Sequence, residues 1–280
     1  MTLNKDLSPA EKYMLHYFAA YHARSYSSLY MYWMIENRIF NLFDRELLKF
    51  KTDTKIKVLD LGCAFGMMIF ELARRHQKIY QSEFTGIDIS PDLIEIAKKI
   101  QPSLNLNYNF FVADVEQGIS DIENDAFDII ICSNVLEHLV NSKTAVEEIK
   151  RMLKPGGLAI IAVPNYEPLQ YKALKFIDKA LLKDSLRRIF YKGLSDEEII
   201  MKFDYGHAHI SERSYSGWKR LFKEAGLKIE CAKTTSFLRG SYFFDRRPII
   251  SGSFLILDSF MKFTPFCYLI STGLIFGLRK

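Results

Sequence analysis

The stretch VLDLGCAFG, at positions 58–66, has residue types and spacing that suit the binding of a small ligand. An apolar run ends in Asp60, and Gly62 and Gly66 follow. This pattern suits a ligand site because glycines let a backbone turn sharply and let a ligand approach it closely. A dinucleotide-binding pattern would need glycines where the chain has Ala64 and Met67, and no Gly-Lys-Ser or Gly-Lys-Thr follows. An acid beside the turn therefore suits a ligand that carries an ammonium group better than it suits a pyrophosphate.

Polar residues follow other apolar runs of the chain in the same way. Asp88 lies in TGIDIS, Asp114 lies in FFVADV, and Asn134 follows IIICS. A carboxylate at position 88 can accept hydrogen bonds from both hydroxyls of a ribose, and one at position 114 can accept from an adenine amino group. Ile89 and Val115 stand next to these acids, where they can sandwich the ring. One acid after a strand is usually only a solvated residue, but four strand ends that agree predict one nucleoside site.

Alternation of short apolar runs with helical segments indicates the elements that would hold these residues. The runs cover residues 56–61, 84–89, 108–112, 127–132 and 158–163, and the segments between them cover residues 67–75, 91–100 and 143–153. The runs do not alternate cleanly between apolar and polar residues, which is typical of strands buried on both faces. This order predicts a parallel sheet between two helix layers. Ligands of such sheets bind outside the carboxyl ends of the strands.

Five motifs together resemble a known family, the class I S-adenosylmethionine-dependent methyltransferases. They are VLDLGCAFG, TGIDIS, FVADVE, FDIIICSNVLEHL and LKPGGLAIIAVPN, in this order. Within the family, the small-molecule and quinone-biosynthesis O-methyltransferases are the most similar group, and GHAHISERSYSGWKRLFKEAGLKI resembles the region before their sixth strand. The resemblance covers residues 55–165 and 207–280. It departs from the family's pattern at Ala64, where the middle glycine is commonest.

The resemblance implies an α/β fold with a Rossmann-like, seven-stranded, mostly parallel sheet. Its last strand, at residues 272–278, would run antiparallel beside the fifth. S-adenosylmethionine would be the cofactor. The residues implied in its binding are Asp60 and the turn Gly62, Cys63, Ala64 and Gly66 for the methionine part, Asp88 for the ribose, Asp114 with Val115 for the adenine, and Asn134 with Val135 near the methyl donor. Ile89, next to Asp88, would help Val115 to sandwich the adenine ring.

Histidines are the candidates for catalysis. Methyl transfer from a sulfonium is an in-line displacement in which positioning of the nucleophile supplies much of the acceleration. A general base helps when the nucleophile is a hydroxyl, and histidine has the most suitable ordinary pKa. His138 follows the fourth strand, and His207 lies before the helix at residues 211–225. Structural roles for both, holding a backbone carbonyl or a loop, stay open. Glu137 and His209 lie close to these histidines in sequence, but their spacing does not show that the four converge, and we expect no metal.

Three segments outside the cofactor-binding core would determine which acceptor the enzyme binds: an N-terminal cap, an insert and a lid near the C-terminus. Residues 1–54 form an aromatic-rich helical cap, 55–166 the cofactor-binding core, 167–206 a basic amphipathic helical insert, and 207–280 the rest of the core with an apolar helical lid. Aromatic and apolar covers suit a planar or apolar small-molecule acceptor. The basic face of the insert is most simply a solvated surface, and it also suits an anionic acceptor or peripheral contact with a membrane.

Composition narrows the function classes further. The net charge of +5 is mild, so a nucleic-acid partner is disfavoured, and the four cysteines show no CxxC spacing of a zinc site. No secretory signal is visible, and Asp258, Lys262 and Pro265 interrupt the apolar stretch 254–276, which argues against a membrane span.

We expect a cytoplasmic enzyme, with the inner membrane face as an alternative location. An inactive ligand-binding or scaffold protein of the same fold and an RNA or protein methyltransferase remain alternative functions. The methylated atom and the oligomeric state are not predicted.

Overall fold

A seven-stranded sheet forms the centre of the computed structural model, which describes residues 26–52, 54–76, 81–100, 108–166, 210–235, 260 and 267–280. The strands are β1 (Lys55–Leu61), β2 (Gln81–Asp88), β3 (Tyr108–Val112), β4 (Phe127–Ser133), β5 (Leu153–Pro164), β6 (Lys228–Thr234) and β7 (Gly273–Arg279). The central strands are buried almost continuously, as the unalternating apolar runs predicted.

The strand order is β3-β2-β1-β4-β5-β7-β6. Strands β1 to β5 are all parallel, whereas β7 runs antiparallel between β5 and β6. The prediction of an antiparallel last strand beside the fifth is therefore confirmed. Because β1, β2, β3 and β4 are parallel, their carboxyl ends lie at one edge of the sheet, and this edge carries the candidate site.

Helices cover both faces of the sheet. Strand residues alternate between the two layers, so that Val58 and Ile129 face one core and Leu59 and Ile130 face the other. On the first face lie α1 (Tyr26–Leu47), α2 (Met67–His76) and α3 (Pro91–Ile100), and on the second lie α4 (Ser142–Met152) and α5 (Tyr215–Glu224). The short helix α6 (Cys267–Ile270) precedes β7. The predicted two-layer arrangement of helices is confirmed.

Two element boundaries differ from the sequence-based expectation by several residues. Strand β5 begins at Leu153 rather than at residue 158, because Leu153 already pairs with Phe127 and Pro155 cannot continue the preceding helix. Helix α5 begins at Tyr215 rather than at residue 211. The amides of Ile210 and Ser211 donate to the backbone carbonyl of Glu137, at 2.8 and 2.9 Å, which holds this segment extended against the tip of β4.

A buried asparagine joins the tip of β5 to the elements around it. The Nδ2 of Asn165 donates to the carbonyls of Tyr268 and Ser271 at 2.9 and 2.8 Å, and its Oδ1 accepts from the amide of Tyr215 at 3.1 Å. Next to it, Trp218 Nε1 donates to the carbonyl of Pro164 at 2.9 Å. These bonds fix α5 and the entry to β7 at the same sheet edge as the candidate site.

Several predicted elements lie outside the described residues. They include the insert at 167–206, most of the apolar stretch 254–276 and the first part of the N-terminal helical region. Within the described ranges, no helix combines the length and the hydropathy that crossing a membrane requires.

Candidate functional site

The turn after β1 is anchored to the tip of β2. The amides of Gly62 and Cys63 both donate to the carbonyl of Ile87, at 2.7 and 3.0 Å, and the amide of Ala64 donates to Asp88 Oδ2 at 2.8 Å. Because two neighbouring strands hold it, this turn has one defined shape before any ligand arrives.

Left-handed backbone conformations concentrate in this turn and at the tip of β4. Gly62 has a φ of 77° and Gly66 a φ of 87°, while two residues with side chains, Ala64 and Asn134, have φ values of 49° and 55°. Such values are uncommon for residues other than glycine and collect at functional sites. The glycines also have packing reasons. A Cβ on Gly62 would lie 2.1 Å from Val135 Cγ2, so Val135 closes directly over the turn.

Asp60 is the most unusual group at this edge. Its side chain is 4% exposed and makes no hydrogen bond with any residue that the structure describes. Burial, and after it the charge of nearby Asp88, raises the pKa of Asp60 to about 7. A buried carboxyl without a partner is costly, and a ligand cation would supply the missing interaction.

Asp88 already holds two backbone segments. Its Oδ1 accepts from the amide of Ser90 at 2.9 Å, and its Oδ2 accepts from Ala64 in the turn. Each carboxylate oxygen has a second lone pair, so the group retains acceptor capacity for a ligand. The adjacent Ile89 is 65% exposed, an unusual position for a large apolar side chain, and it can cover a ligand at this edge.

Asp114 caps the short 3₁₀ turn Val115–Gln117. Its carboxylate accepts from the amide of Glu116 at 2.9 Å and from Gln117 Nε2 at 3.0 Å. Val115, in contrast to Ile89, is buried in the core beneath α4. At this position, therefore, the exposed polar atoms belong to Asp114, and Val115 can meet a ligand only through its edge.

The tip of β4 brings a second buried acid to the site. Glu137, in the 3₁₀ turn Leu136–His138, is 2% exposed, and its Oε2 is buried without a hydrogen-bond partner in the described part of the chain. Burial raises the pKa of Glu137 to about 8. Burial first, and then the charges of Glu137 and Asp60, raise the pKa of the Cys132 thiol, so both acids lie near this cysteine.

Of the candidate catalytic histidines, only His138 has a described position. His138 is half-exposed, and its Nε2 lies 3.9 Å from Glu137 Oε1, which is longer than a hydrogen bond. His207 and His209 lie outside the described residues. Among the residues with described positions, no group of three or more metal-ligating side chains converges.

The structure thus brings together, at one sheet edge, most of the residues singled out from the sequence. Asp60, Asp88 and Asp114 follow adjacent parallel strands, with Asn134 at the tip of β4. Sequence reasoning missed the buried state of Glu137 and the bonding of Asn165. The sequence around these two residues does not indicate either property, because an acid or amide beside an apolar run has the same local sequence whether it is buried or solvated.

Comparison with known proteins identifies what the chain is similar to. The sequence model of a family described as a methyltransferase domain matches residues 52–226, more than half of the chain. A ubiquinone biosynthesis O-methyltransferase of Alkalilimnicola ehrlichii is 30% identical over 115 residues, which are 41% of this chain and 44% of the relative. The matched segment thus spans less than half the length of that curated relative.

Solved structures agree on the fold. The PH0226 protein of Pyrococcus horikoshii superposes with a TM-score of 0.55 at 19% identity, over 96% of this chain and 98% of that protein. The cyclase SpnF superposes with a TM-score of 0.52 at 17% identity, over 86% and 80% of the two chains. At these identities the likeness shows the fold alone, and one fold hosts several chemistries.

Proposed function

Because the chain belongs to the methyltransferase domain family, we propose that it transfers a methyl group from S-adenosylmethionine to a small-molecule acceptor. The family and the fold imply S-adenosylmethionine as the cofactor. The observation that supports the proposal most directly is the buried carboxyl of Asp60 beside the glycine turn, which bonds to no described residue. Asp88 ends the neighbouring strand β2, and Asp114 follows β3, the next strand along the sheet.

The donor set at this edge fits the proposed cofactor. Asp60 would hold the ammonium of the methionine part, and the backbone of the turn from Gly62 to Gly66, with Cys63 and Ala64 between, would line its carboxylate. Asp88 would accept from the ribose hydroxyls with its free lone pairs, while Ile89 would cover the base. Asp114 would accept from the adenine amino group at the rim, next to the edge of Val115.

The cofactor, when bound, supplies a methyl group on a sulfonium, which is a good leaving group. The chain's own contribution is to position the acceptor in line with it and to exclude water. Asn134 and Val135, at the tip of β4, would face that region. His138 would take a proton from a hydroxyl acceptor, and His207 is the second candidate for the same step.

We propose further that the acceptor is apolar and planar or lipid-linked. This acceptor class is supported by the aromatic N-terminal sequence, by the apolar stretch before β7 and by the role of the relative from Alkalilimnicola ehrlichii in ubiquinone biosynthesis. A cytoplasmic location with peripheral contact at the inner membrane face belongs to the same proposal, since a lipid-linked acceptor would be met there.

The donor site is tested by calorimetric titration with S-adenosylhomocysteine. Asp88→Ala should weaken binding by about 10- to 150-fold, because charge-assisted hydrogen bonds contribute about 1.5–3 kcal/mol. Asp121→Ala removes an exposed acid away from the strand tips and is the matched control. Equal affinity in wild type and Asp88→Ala would show that the ribose site lies elsewhere.

Binding alone does not separate an enzyme from an inactive protein of the same fold. Turnover is therefore measured with radiolabelled S-adenosylmethionine and a panel of quinols, catechols and polyprenylated phenols, with bulk RNA and protein as competing acceptors. Transfer to a small molecule supports the proposal. Donor binding without transfer to any acceptor would favour a ligand-binding or scaffold protein. Transfer to RNA or protein would show that the acceptor is a macromolecule rather than a small molecule.

A further inference from the structure

A pocket of about 410 Å³ lies between α1 and the edge strand β6. The apolar Leu42, which is buried, lines its floor. Lys233 enters from β6, while Arg38 and Arg45 reach it from α1. Strands β4, β5 and β7 separate β6 from β1, so the pocket is roughly 19 Å from the glycine turn at the usual strand spacing of about 4.8 Å. It is therefore distinct from the donor site.

Two of the cations that line this pocket have no acidic partner among the residues that the structure describes. Arg45 and Lys233 are exposed and pair with no acid among the residues of known position. Two acids on the same elements, Glu46 and Glu230, are already engaged, because both pair with Arg279. Lys49 takes a further share of both acids.

Several cations near the ends of the sheet are, by contrast, neutralised. Lys55 lies 2.8 Å from Glu83, Lys154 lies 2.7 Å from Asp128, and Lys280 pairs with Asp125. Arg45 and Lys233 depart from this pattern within the described part of the chain, and both line one concave space together with Arg38. Converging like charges repel one another, and an anion in the pocket would remove that repulsion.

The neutral residues of the pocket narrow the kind of anion. Asn37 and Asn41 lie one helical turn apart on the same face of α1, and their amide groups are further donors. Arginine forks and amide donors match an oxyanion that accepts several hydrogen bonds at once, and a phosphate is such a group. Leu42 provides apolar contact for whatever the phosphate is attached to.

We propose that the basic pocket formed by Arg38, Arg45 and Lys233, with Asn37 and Asn41, binds the phosphate group of a small ligand or of a lipid headgroup. The same chemistry serves both sources. A soluble phosphate ester would enter from solution, whereas a headgroup would hold the outer edge of β6 against a membrane. The proposal does not depend on methyl transfer, because none of these residues belongs to the donor site.

The test compares wild type with Arg45→Glu/Lys233→Glu. Inorganic phosphate and pyrophosphate are titrated calorimetrically at low ionic strength, where exposed charges are least screened. In a second arm, flotation is measured with vesicles of phosphatidylcholine with and without phosphatidylglycerol. Wild type should bind in at least one arm, and the double variant should bind at least about tenfold more weakly, because two charge-assisted contacts are lost.

Lys98→Glu/Arg220→Glu is the matched control, since it makes the same charge change at exposed positions on α3 and α5. Arg45→Gln/Lys233→Gln repeats the test without charge reversal if the first double variant fails to fold. Binding of S-adenosylhomocysteine, measured in parallel, should be equal in all four proteins, which separates this site from the donor site.

Each pattern of results decides the question. Binding of the soluble anions, or of the anionic vesicles, that is lost in the pocket variant and retained in the control supports the proposal and identifies the source of the phosphate. Failure of wild type to bind any probe overturns it, and so does equal weakening by the pocket and control variants, which would reflect net charge alone.

Discussion

Protonation of Asp60 should be coupled to binding of the donor. In the ligand-free protein burial and Asp88 raise its pKa to about 7, so at pH 6 about 90% of the molecules carry a proton on this carboxyl. An ammonium beside the carboxylate favours the charged form. Binding of S-adenosylhomocysteine should therefore release about 0.9 proton at pH 6 and about 0.5 at pH 7. Over the same interval its dissociation constant should fall about fivefold.

The measurement is titration calorimetry in two buffers that differ in ionisation enthalpy. The dependence of the apparent binding enthalpy on the buffer gives the number of protons released. The range from pH 6 to pH 7 is chosen because free α-amino groups titrate only near about pH 8. The ligand's own ammonium therefore keeps its charge throughout.

Asp60→Asn should abolish the release and weaken binding. Glu137→Gln is the control, because Glu137 is a second buried acid with a raised pKa at the same sheet edge and is assigned no contact with the ammonium. The reasoning is refuted if wild type releases no proton at pH 6. It is equally refuted if the release persists in Asp60→Asn and disappears in Glu137→Gln.

Three further predictions concern stability. Ala64→Gly should raise the free energy of unfolding in urea by about 0.5–1 kcal/mol, because Ala64 has a φ of 49°, a conformation that glycine adopts without strain. Asn165→Ala should lower it by about 3 kcal/mol, since three backbone groups, one of them in a fully buried bond, lose their partner. Glu137 binds its proton more tightly when folded, so wild type should lose stability as the pH rises from about 4.5 to 8. Glu137→Gln should remove this loss, which amounts to up to about 4 kcal/mol, and thermal unfolding at several pH values measures it.

Sequence patterns predicted the sheet well because burial on both faces leaves a local signature. The unalternating apolar runs gave all five parallel strands, and Ser90 followed by Pro91 gave the start of α3 at the observed residue. The family recognised from the five motifs is confirmed by the methyltransferase-domain match. The errors fell at ends decided by tertiary contacts. Helix α5 starts late because the carbonyl of Glu137 captures the preceding amides, and no residue type in that segment announces such a bond.

The candidate site was predictable in its position and less so in its electrostatics. The parallel order of the strands alone predicts that their carboxyl ends, with Asp60, Asp88 and Asp114, lie at one edge of the sheet. Which of them is buried without a partner depends on what surrounds each carboxyl. Asp88 and Asp114 accept local backbone amides, whereas Asp60 accepts from no described residue, although all three occupy equivalent positions in the sequence pattern.

This difference gives a way to separate ligand-binding from structural acids. Asp88→Ala removes the acceptor of two backbone amides, so it should lower both the stability and the donor affinity, and the affinity loss alone would not identify a ligand contact. Asp60→Asn removes only a buried carboxyl that bonds to none of the residues with described positions. Above pH 7, where that carboxyl is charged, the variant should unfold at the same temperature as wild type or a higher one, yet bind the donor more weakly. Opposite signs for stability and affinity are expected of a group kept for its ligand. If Asp60→Asn lowers both the unfolding temperature and the donor affinity, Asp60 is a structural residue, and the proposal that it binds the ligand's ammonium is wrong.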